Sequence, residues 1–448
     1  MKNAWKVRHS AMVNWAKKGT VMRRVFLSFL GLGTRKGDSY DYDFARYAMD
    51  GKESRRTKFV QAAEVELLGP ESFNLVLIVT TEKSQSLHFD SLKSELLDLG
   101  ARHIVCLPLE EDMTEAGQWR WFEAILEHIQ TEDHLSVDIT HGYRAIPIVF
   151  STSIHFLQKA KRVNVEHVFY GAYEKNRELA PVVDMTNFFI INEWAEGVSR
   201  LVEDADAGKV ARQAKATPSF RLGELNDAKL LHSLQDVTNR IRNVDMHNVH
   251  SAARTVVKLI TERFPHASAA GQELLRLLTD KFETLAKEEF ATQRYDRAYF
   301  LGQLAFIRML LDHKLSMQAF TAMRETIASI GLIHNEKASM HTAKGRDERP
   351  KAEVFVSMLQ FEPAKWRFSG DEKRMMEGLM PLYSELEKTG IEREIRALLP
   401  ALVYYRNGFD HGWTKKSQSA QDIDSKGDEF FLLLKKIVDL LDSKGLFR

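Results

Sequence analysis

The sequence predicts an α/β amino-terminal domain followed by an all-α carboxyl-terminal domain. Two observations carry this. From Val25 to about Asp184, short apolar runs alternate with helical patterns. From about Asn187 onward the strand signal disappears and helical periodicity continues toward the carboxyl terminus. Alternating strands and helices imply βαβ units; a long run of helices without strands implies a separate bundle.

The predicted strands are Val25–Leu30, Leu75–Thr80, His103–Pro108, Leu135–Thr140 and His167–Tyr170. Leu75–Val79 is apolar throughout, as a strand covered on both faces should be. Between the strands, Thr57–Leu68 places Phe59, Val60, Ala63 and Leu67 on one helical face, and Gly69-Pro70 stops it. Leu87–Leu99 ends at Gly100 in the same way, and Trp119–Ile129 and Ile148–Ala160 complete the set. This order predicts a parallel sheet with helices on both faces. Such a Rossmann-like domain binds ligands at the carboxyl ends of its strands. The helices expected afterwards are Phe188–Glu203, Asp227–Phe264, Gln272–Phe290, Tyr299–Ile330, Glu372–Lys388, Ile391–Phe409 and Glu429–Leu441. Asp206–Leu222 reads as an irregular interdomain region and His341–Pro350 as an exposed, charge-dense loop.

Composition bounds the function. A chain of 448 residues suits two or three domains, and 44% hydrophobic with 28% charged residues is a globular composition. Net charge is +1, so any nucleic-acid contact must come from a local cluster. The single cysteine, Cys106, excludes an intrachain disulfide and a Cys-rich zinc site, and fits a reducing cytoplasm. No apolar run is long enough to span a bilayer. Residues 1–24 carry seven basic side chains and no acid, and read as a basic extension without the apolar core of a secretory signal.

Three strand ends carry unusual residues. The first runs into Gly31-Leu-Gly33-Thr34-Arg, where glycines permit close backbone approach and free N–H groups can face an anion; a plain tight turn explains it equally. The second ends in Thr80-Thr81-Glu-Lys83-Ser84, suited either to phosphate and ribose or to helix capping by Ser84 or Ser86. The fourth is the most informative: Val137-Asp-Ile-Thr-His-Gly-Tyr-Arg-Ala-Ile-Pro147. Pro147 suits a first helical turn, so Thr140, His141 and Arg144 gather around a helix N-terminus that favours anions. Gly142 removes a side chain there, and Arg144 can fork onto phosphate or a base edge. The structural alternative is an Asp138–Arg144 ion pair with His141 in a turn.

Leu27-Ser-Phe-Leu-Gly-Leu-Gly-Thr34, Thr57-Lys-Phe-Val-Gln61 and Asp138-Ile-Thr-His-Gly-Tyr-Arg144 resemble the sensor domain of CRISPR-associated proteins of type III systems, the CRISPR-associated Rossmann fold or CARF domain. Members of this layout pair it with a helical HEPN ribonuclease domain. The resemblance implies a CARF domain over 25–186, a helical linker region over 187–222 and a HEPN domain over 223–448. It further implies a cyclic oligoadenylate activator bound by Gly31, Gly33, Thr34, Thr81, Lys83, Ser84, Thr140, His141, Gly142 and Arg144, the four-adenylate ring favoured over the six. A single-stranded RNA substrate and a homodimer follow, with higher oligomers and slow cleavage of the ring by the sensor left open. Residues 35–42 depart from the family pattern, being longer and more charged than the usual first loop.

The HEPN signature is Arg, four to six residues, then His. Four Arg-x4-His pairs occur: Arg162–His167, Arg242–His247, Arg308–His313 and Arg406–His411. Chance alone gives about one, so context must choose. Arg406-Asn-Gly-Phe-Asp-His-Gly412 closes a strongly apolar helix and matches the family's terminal Arg-Asn-x-x-x-His element. The resemblance therefore assigns catalysis to Arg406, Asn407 and His411, with Arg242–His247 as the rival; helix C-terminal capping by the two cations is the structural alternative. RNA carries its own nucleophile, the 2′-hydroxyl. A histidine can move protons near neutral pH and an arginine can stabilise phosphoryl charge, without a metal or cofactor. The other class of function is a ligand-gated regulator whose helical half only binds RNA or protein. His247-Asn-Val-His250 reads as a polar helix face rather than half a metal site, Trp119-Arg-Trp-Phe122 as core, and Arg324 and Glu325 as an ion pair.

Overall fold

The computed structural model describes residues 22–112, 114–141, 146–175, 177–217, 223–335, 345, 347–413 and 422–447. The chain divides into two compact units, Met1–Asn192 and Glu193–Arg448.

The first unit is built on strands β1 (Arg24–Leu30), β4 (Arg46–Met49), β5 (Lys52–Glu53), β6 (Leu75–Thr81), β7 (Ile104–Leu109), β8 (His134–Asp138), β9 (Asn164–Gly171) and β10 (Leu179–Asp184), with a hairpin of β2 (Thr34–Lys36) and β3 (Ser39–Asp41) beside them. The sheet order is β5-β4-β10-β9-β8-β1-β6-β7. β9, β8, β1, β6 and β7 run parallel, as the sequence predicts. The whole sheet is mixed, however: β10 is antiparallel to β9, and β5 to β4. The connection 172–178 is shorter than the dozen or so residues that a parallel crossover needs, so the chain returns as an antiparallel neighbour. Pro181, which lacks an N–H, concealed β10 from the sequence pattern, and β4 is short and carries Arg46. β1 begins at Arg24, one residue earlier than expected. Two of the basic side chains assigned to the extension make ion pairs: Arg23 with Asp133 at 2.6 Å and Arg24 with Glu166 at 2.9 Å.

Alternation along β1 divides the core. Val25, Leu27 and Phe29 pack on one face with Leu77, Val79, Leu135, Val137, Ile154 and Leu157. Phe26 and Leu30 pack on the other with Ile78, Phe89, Leu92 and Val65. Helices α1 (Val60–Leu68) and α2 (Asp90–Asp98) cover this second face, and α3 (Glu115–His128) and α4 (Ile146–Ala160) the first. α1 is less one-sided than its periodicity suggested, since Gln61 and Glu64 are buried as well. α4 begins at Ile146, which puts Pro147 in its first turn.

Helix α5 (Thr186–Asp204) follows β10, and the second unit continues in helices: α6 (Gly208–Ala216), α7 (Ala228–Arg242), α8 (Val249–Arg263), α9 (Ala269–Phe282), α10 (Arg297–Asp312), α11 (Ser316–Ile330), α12 (Arg349–Gln360), α13 (Gly370–Thr389), α14 (Ile391–Asp410) and α15 (Ile423–Ser443). Several sequence expectations are corrected. The single helices expected over 227–264 and 299–330 each break in two, at turns containing Val244 (φ +56°) and Lys314 (φ +57°). Left-handed residues of this kind end a helix whatever the apolar pattern says. α6 lies in the stretch read as irregular, and α12 starts at Arg349, inside the expected loop. α11 is the centre of this unit: Ala319, Phe320, Ala322, Met323, Ile327, Ala328 and Ile330 are all fully buried. No helix among the described residues is long and apolar enough to cross a membrane.

Candidate functional site

β1 lies between β8 and β6: the chain builds the sheet outward through β6 and β7 on one side of β1 and then through β8 and β9 on the other, which makes this a switch point in strand order. The crevice at the carboxyl ends of such strands is where open α/β sheets hold ligands. Gly31, Thr140 and His141 converge there. β8 stops at Asp138, two residues before the expected end, because the Asp138 carboxylate accepts the Thr140 N–H at 2.8 Å and also the Thr140 hydroxyl. This side-chain turn bends the backbone out of the sheet. Ser28, opposite Asp138 in the β1–β8 register, donates its hydroxyl at 2.6 Å. The Thr140 hydroxyl oxygen accepts the Gly171 N–H at 2.7 Å, tying the turn to β9.

Burial raises the Asp138 carboxyl above its usual range, with His141 opposing the shift. Burial pushes the His141 imidazole below its ordinary value, and here Asp138 opposes. A Cβ at Gly31 would stand 3.3 Å from both the His141 Cβ and the Tyr42 hydroxyl, so a glycine lets the end of β1 pass under these rings. Tyr42 packs 5.2 Å from His141 and 5.0 Å from His88, ring centre to ring centre. Gln61, part of the second motif, is buried and donates its amide to the Phe29 carbonyl at 2.8 Å, fixing the end of β1 from α1.

A cavity of about 210 Å³ opens beside these strand ends, lined by Gly31, Leu32, Thr80, Thr81, Ser84 and Trp121 among others. Thr81 and Ser84 form a reciprocal cap: the Thr81 hydroxyl accepts the Ser84 N–H at 3.2 Å, and the Ser84 hydroxyl accepts the Thr81 N–H at 2.9 Å. Capping and a cavity wall thus coexist in these residues. The exposed Lys83 holds its ammonium 4.5 Å over the Tyr40 ring, next to the hairpin that carries the exposed Thr34. Gly33 (φ +76°) serves the hairpin, since a Cβ there would lie 2.6 Å from the Asp41 carbonyl oxygen. Gly142 and Arg144 lie outside the described residues.

Charge gathers in a neighbouring cleft of about 700 Å³, where Lys36, Arg46, Arg56, Lys58, Lys175 and Arg177 outnumber Asp41, Asp43 and Glu178. Lys58 pairs with Asp41 at 2.9 Å and Lys36 with Asp43 at 2.8 Å. Arg56 lies 5.5 Å over the Phe44 ring, and neither it nor Lys175 forms an ion pair among the described residues. Sequence reasoning missed Tyr42, His88 and this cleft. Lys58 within the second motif and the charge density of 35–42 were the available signals.

In the helical unit, Arg406 and Asn407 occupy the last turn of α14 and His411 caps it. The Trp413 N–H donates to the Gly408 carbonyl at 2.9 Å and the Gly412 N–H to the Phe409 carbonyl at 3.3 Å, with Gly412 at φ +59°: a Schellman termination. Tyr405 and Phe409 pack 5.6 and 5.7 Å from Phe320 of α11, and Trp413 packs 5.3 Å from Phe409. One side of the helix end is therefore pinned by aromatic rings. The adjoining side carries Arg406, 38% exposed and 3.6 Å from Asp410, and leads to the exposed His411. Arg324 bonds Glu325 at 2.6 Å and Glu353 at 2.8 Å, and Arg349 also bonds Glu325, so the expected ion pair is a four-member network. The hydrogen bond from Arg324 holds the Glu353 carboxyl below its usual range, and Arg406 adds to this.

The other Arg–His pairs differ. Arg308 bonds Asp312 and Asp428, while His313 is buried against the Glu203 carbonyl at 2.7 Å. His167 lies in β9, its ring stacked 5.0 Å from Phe169. Arg242 and His247 are both exposed, but Arg242 is the last residue of α7 and His247 lies within the connection to α8. Of the aromatic cluster, Trp121 is core, whereas Trp119 is exposed. No group of three or more His, Cys, Asp or Glu among the described residues is placed to hold a metal ion.

No family model matches the chain. A structure of Csm6 from Enterococcus italicus, bound to cyclic hexa-2′-fluoro-hexa-dAMP, aligns with 94% of this chain and 95% of that one at a TM-score of 0.45 and 10% identity. A stretch of 208 residues, 46% of this chain, is 22% identical to the CRISPR-associated protein MJ1674 of Methanocaldococcus jannaschii, and the match spans 30% of that protein's length. Over that stretch, the chain is similar to a CRISPR-associated protein.

Proposed function

We propose that the chain is a cyclic-oligoadenylate-activated, metal-independent endoribonuclease of type III CRISPR defence. Its α/β unit is the CARF sensor, and its helical unit carries a HEPN site of Arg406, Asn407 and His411. The helix end supports this most directly. Aromatic packing through Tyr405, Phe409 and Trp413 immobilises α14, while Arg406 stays partly open and His411 exposed at its tip. In the exposed rival pair, Arg242 ends α7 and His247 lies in the turn that follows.

The chemistry follows from the residue types. The substrate's 2′-hydroxyl attacks the adjacent phosphorus, the bond to the 5′-oxygen breaks, and a 2′,3′-cyclic phosphate and a 5′-hydroxyl result. His411 moves a proton in this step, typically contributing about 10²–10⁴-fold. Arg406 exchanges its loose pairing with Asp410 for the phosphoryl oxygens. Asn407 orients one of the two. One Arg–His pair makes a thin site, and a twofold dimer brings a second copy of His411 to the same cleft. On the sensor side, the crevice at Gly31, Thr140 and His141 and the neighbouring cationic cleft suit a ring of adenine bases and phosphates.

The test is cleavage of a fluorescent single-stranded RNA in chelator with each cyclic oligoadenylate, using wild type, His411→Ala and His247→Ala. The proposal expects cleavage by wild type and His247→Ala and a loss of about 10²-fold or more in His411→Ala. Undiminished cleavage by His411→Ala removes that residue from the chemistry. Inactivity of wild type with every ring favours a ligand-gated binding protein instead.

A further inference from the structure

A second polar cavity, of about 260 Å³, lies in the helical unit between the α7–α8 turn, α8 and α10. It involves none of Arg406, Asn407 and His411. Its lining includes Met246, His250, Arg254, Phe290 and Gln303. His250 is 5% exposed and Gln303 1%. The His250 Nδ1 lies 3.0 Å from the Leu285 carbonyl oxygen. A carbonyl only accepts, so Nδ1 carries the proton and Nε2 presents a lone pair. Burial lowers the affinity of this ring for a second proton. The Gln303 amide nitrogen donates to the Met246 carbonyl at 3.3 Å, which leaves Oε1 as an acceptor.

His250 Nε2, Gln303 Oε1 and Arg254 Nη1 are all buried and have no hydrogen-bond partner among the described residues. Arg254 forms no ion pair among them either. Buried polar groups are normally satisfied, and three unsatisfied ones on residues that line one cavity call for an occupant. Phe290 forms an apolar wall, its ring 5.1 Å from that of His250. A Cβ at Gly302 would stand 3.1 Å from His250 Nε2 and 3.2 Å from the Phe290 ring, so a side chain there would crowd that nitrogen.

We propose that this cavity binds a guanine base, with its N–H edge on His250 Nε2 and Gln303 Oε1 and its O6/N7 edge on Arg254. Two acceptors and one guanidinium fit guanine best among the common bases. Only guanine carries adjacent ring and amino N–H groups on one edge, and O6 and N7 are the preferred partners of arginine. Adenine, cytosine and uracil each present a single N–H-bearing nitrogen for pairing. The base comes either from a free guanine nucleotide or from RNA; in the second case the cavity reads the substrate of the proposed ribonuclease, and rests on that reading.

The test measures binding alone, in two arms, with the full-length His411→Ala chain. In the first arm, calorimetry compares guanosine 5′-monophosphate with adenosine 5′-monophosphate. In the second, fluorescence anisotropy compares a labelled oligoadenylate bearing one central guanosine with the all-adenylate strand. The guanine probe is expected to bind about tenfold tighter or more in at least one arm, and the preference to vanish with Arg254→Ala and with Gln303→Leu. Arg254 is only half-buried, so its substitution leaves the fold intact and keeps the test decisive should Gln303→Leu fail to fold. A preference in the first arm alone identifies a free nucleotide, and one in the second alone identifies RNA; both support the proposal. Equal binding of guanine and adenine in both arms overturns it, as does a preference that survives Arg254→Ala. Strand scission enters neither arm, so an inactive wild type would sink the ribonuclease reading and leave this one standing.

Discussion

Glu64 is a carboxylic acid sealed beneath α1, with neither oxygen hydrogen-bonded among the described residues. Burial holds its carboxyl well above the usual range, and Asp138 adds to the shift. The folded chain therefore keeps a proton that the unfolded chain releases above about pH 4.3. Stability from this group is complete below that pH and is lost as pH rises toward the raised folded value, by up to about 1.4 kcal/mol per pH unit. Glu64→Gln keeps the shape without the charge. Thermal unfolding at pH 5 and pH 8 should show the variant gaining on wild type as pH rises; a constant difference would contradict the burial argument. Legibility at this scale depended on chain neighbours. Gly31, Thr140 and His141 were readable because each follows directly on a strand. Tyr42 and Lys175 were not, because a hairpin and the return to β10 carry them to the site. Nor was the Ser28–Asp138 bond, which exists only through the β1–β8 register.

The end of α14 shows what an element contributes. A Cβ at Gly408 would lie 2.5 Å from the Trp413 ring, whereas nothing stands within 4 Å at Gly412. Gly408→Ala should cost about 1–3 kcal/mol by overpacking, and Gly412→Ala about 1–2 kcal/mol through its left-handed backbone. A double-mutant cycle separates the mechanisms. In a Trp413→Ala background the clash is gone, so Gly408→Ala should become neutral or stabilising, because alanine is the better helix former. Additive costs in urea denaturation would mean that the ring does not set the helix end. Apolar periodicity located α14 and its glycine stop within a residue. It could not show the breaks near Val244 and Lys314, because apolar positions continue in phase across both turns. A four-residue strand such as β4 leaves too little pattern to recognise.

At the scale of the molecule, the proposed function gives the two units separate ligands, which makes coupling a measurable quantity. If a ring activates cleavage by favouring the RNA-binding state, RNA must tighten ring binding by the same factor, typically about 5–150-fold. A strand with a 2′-deoxy sugar at the cleavage position binds without being cut. Ring affinity measured with and without this strand should rise by that factor, and the strand's affinity should rise equally when the ring is added. An unchanged ring affinity would argue against thermodynamic coupling of the two sites. The division into an α/β half and a helical half was legible because strand and helix periods differ so plainly. The mixed character of the sheet was not, since it depends on a connection too short for a crossover and on a proline within β10.

The most direct test of ring-controlled scission is a titration of the initial rate of RNA cleavage with cyclic tetra-adenylate, in chelator, at fixed protein concentration well above the ring's dissociation constant. The rate should climb from near zero and level off at one ring for every two chains. A rate that is already maximal without the ring, or that no ring alters, would contradict the claim that the α/β unit switches on Arg406 and His411.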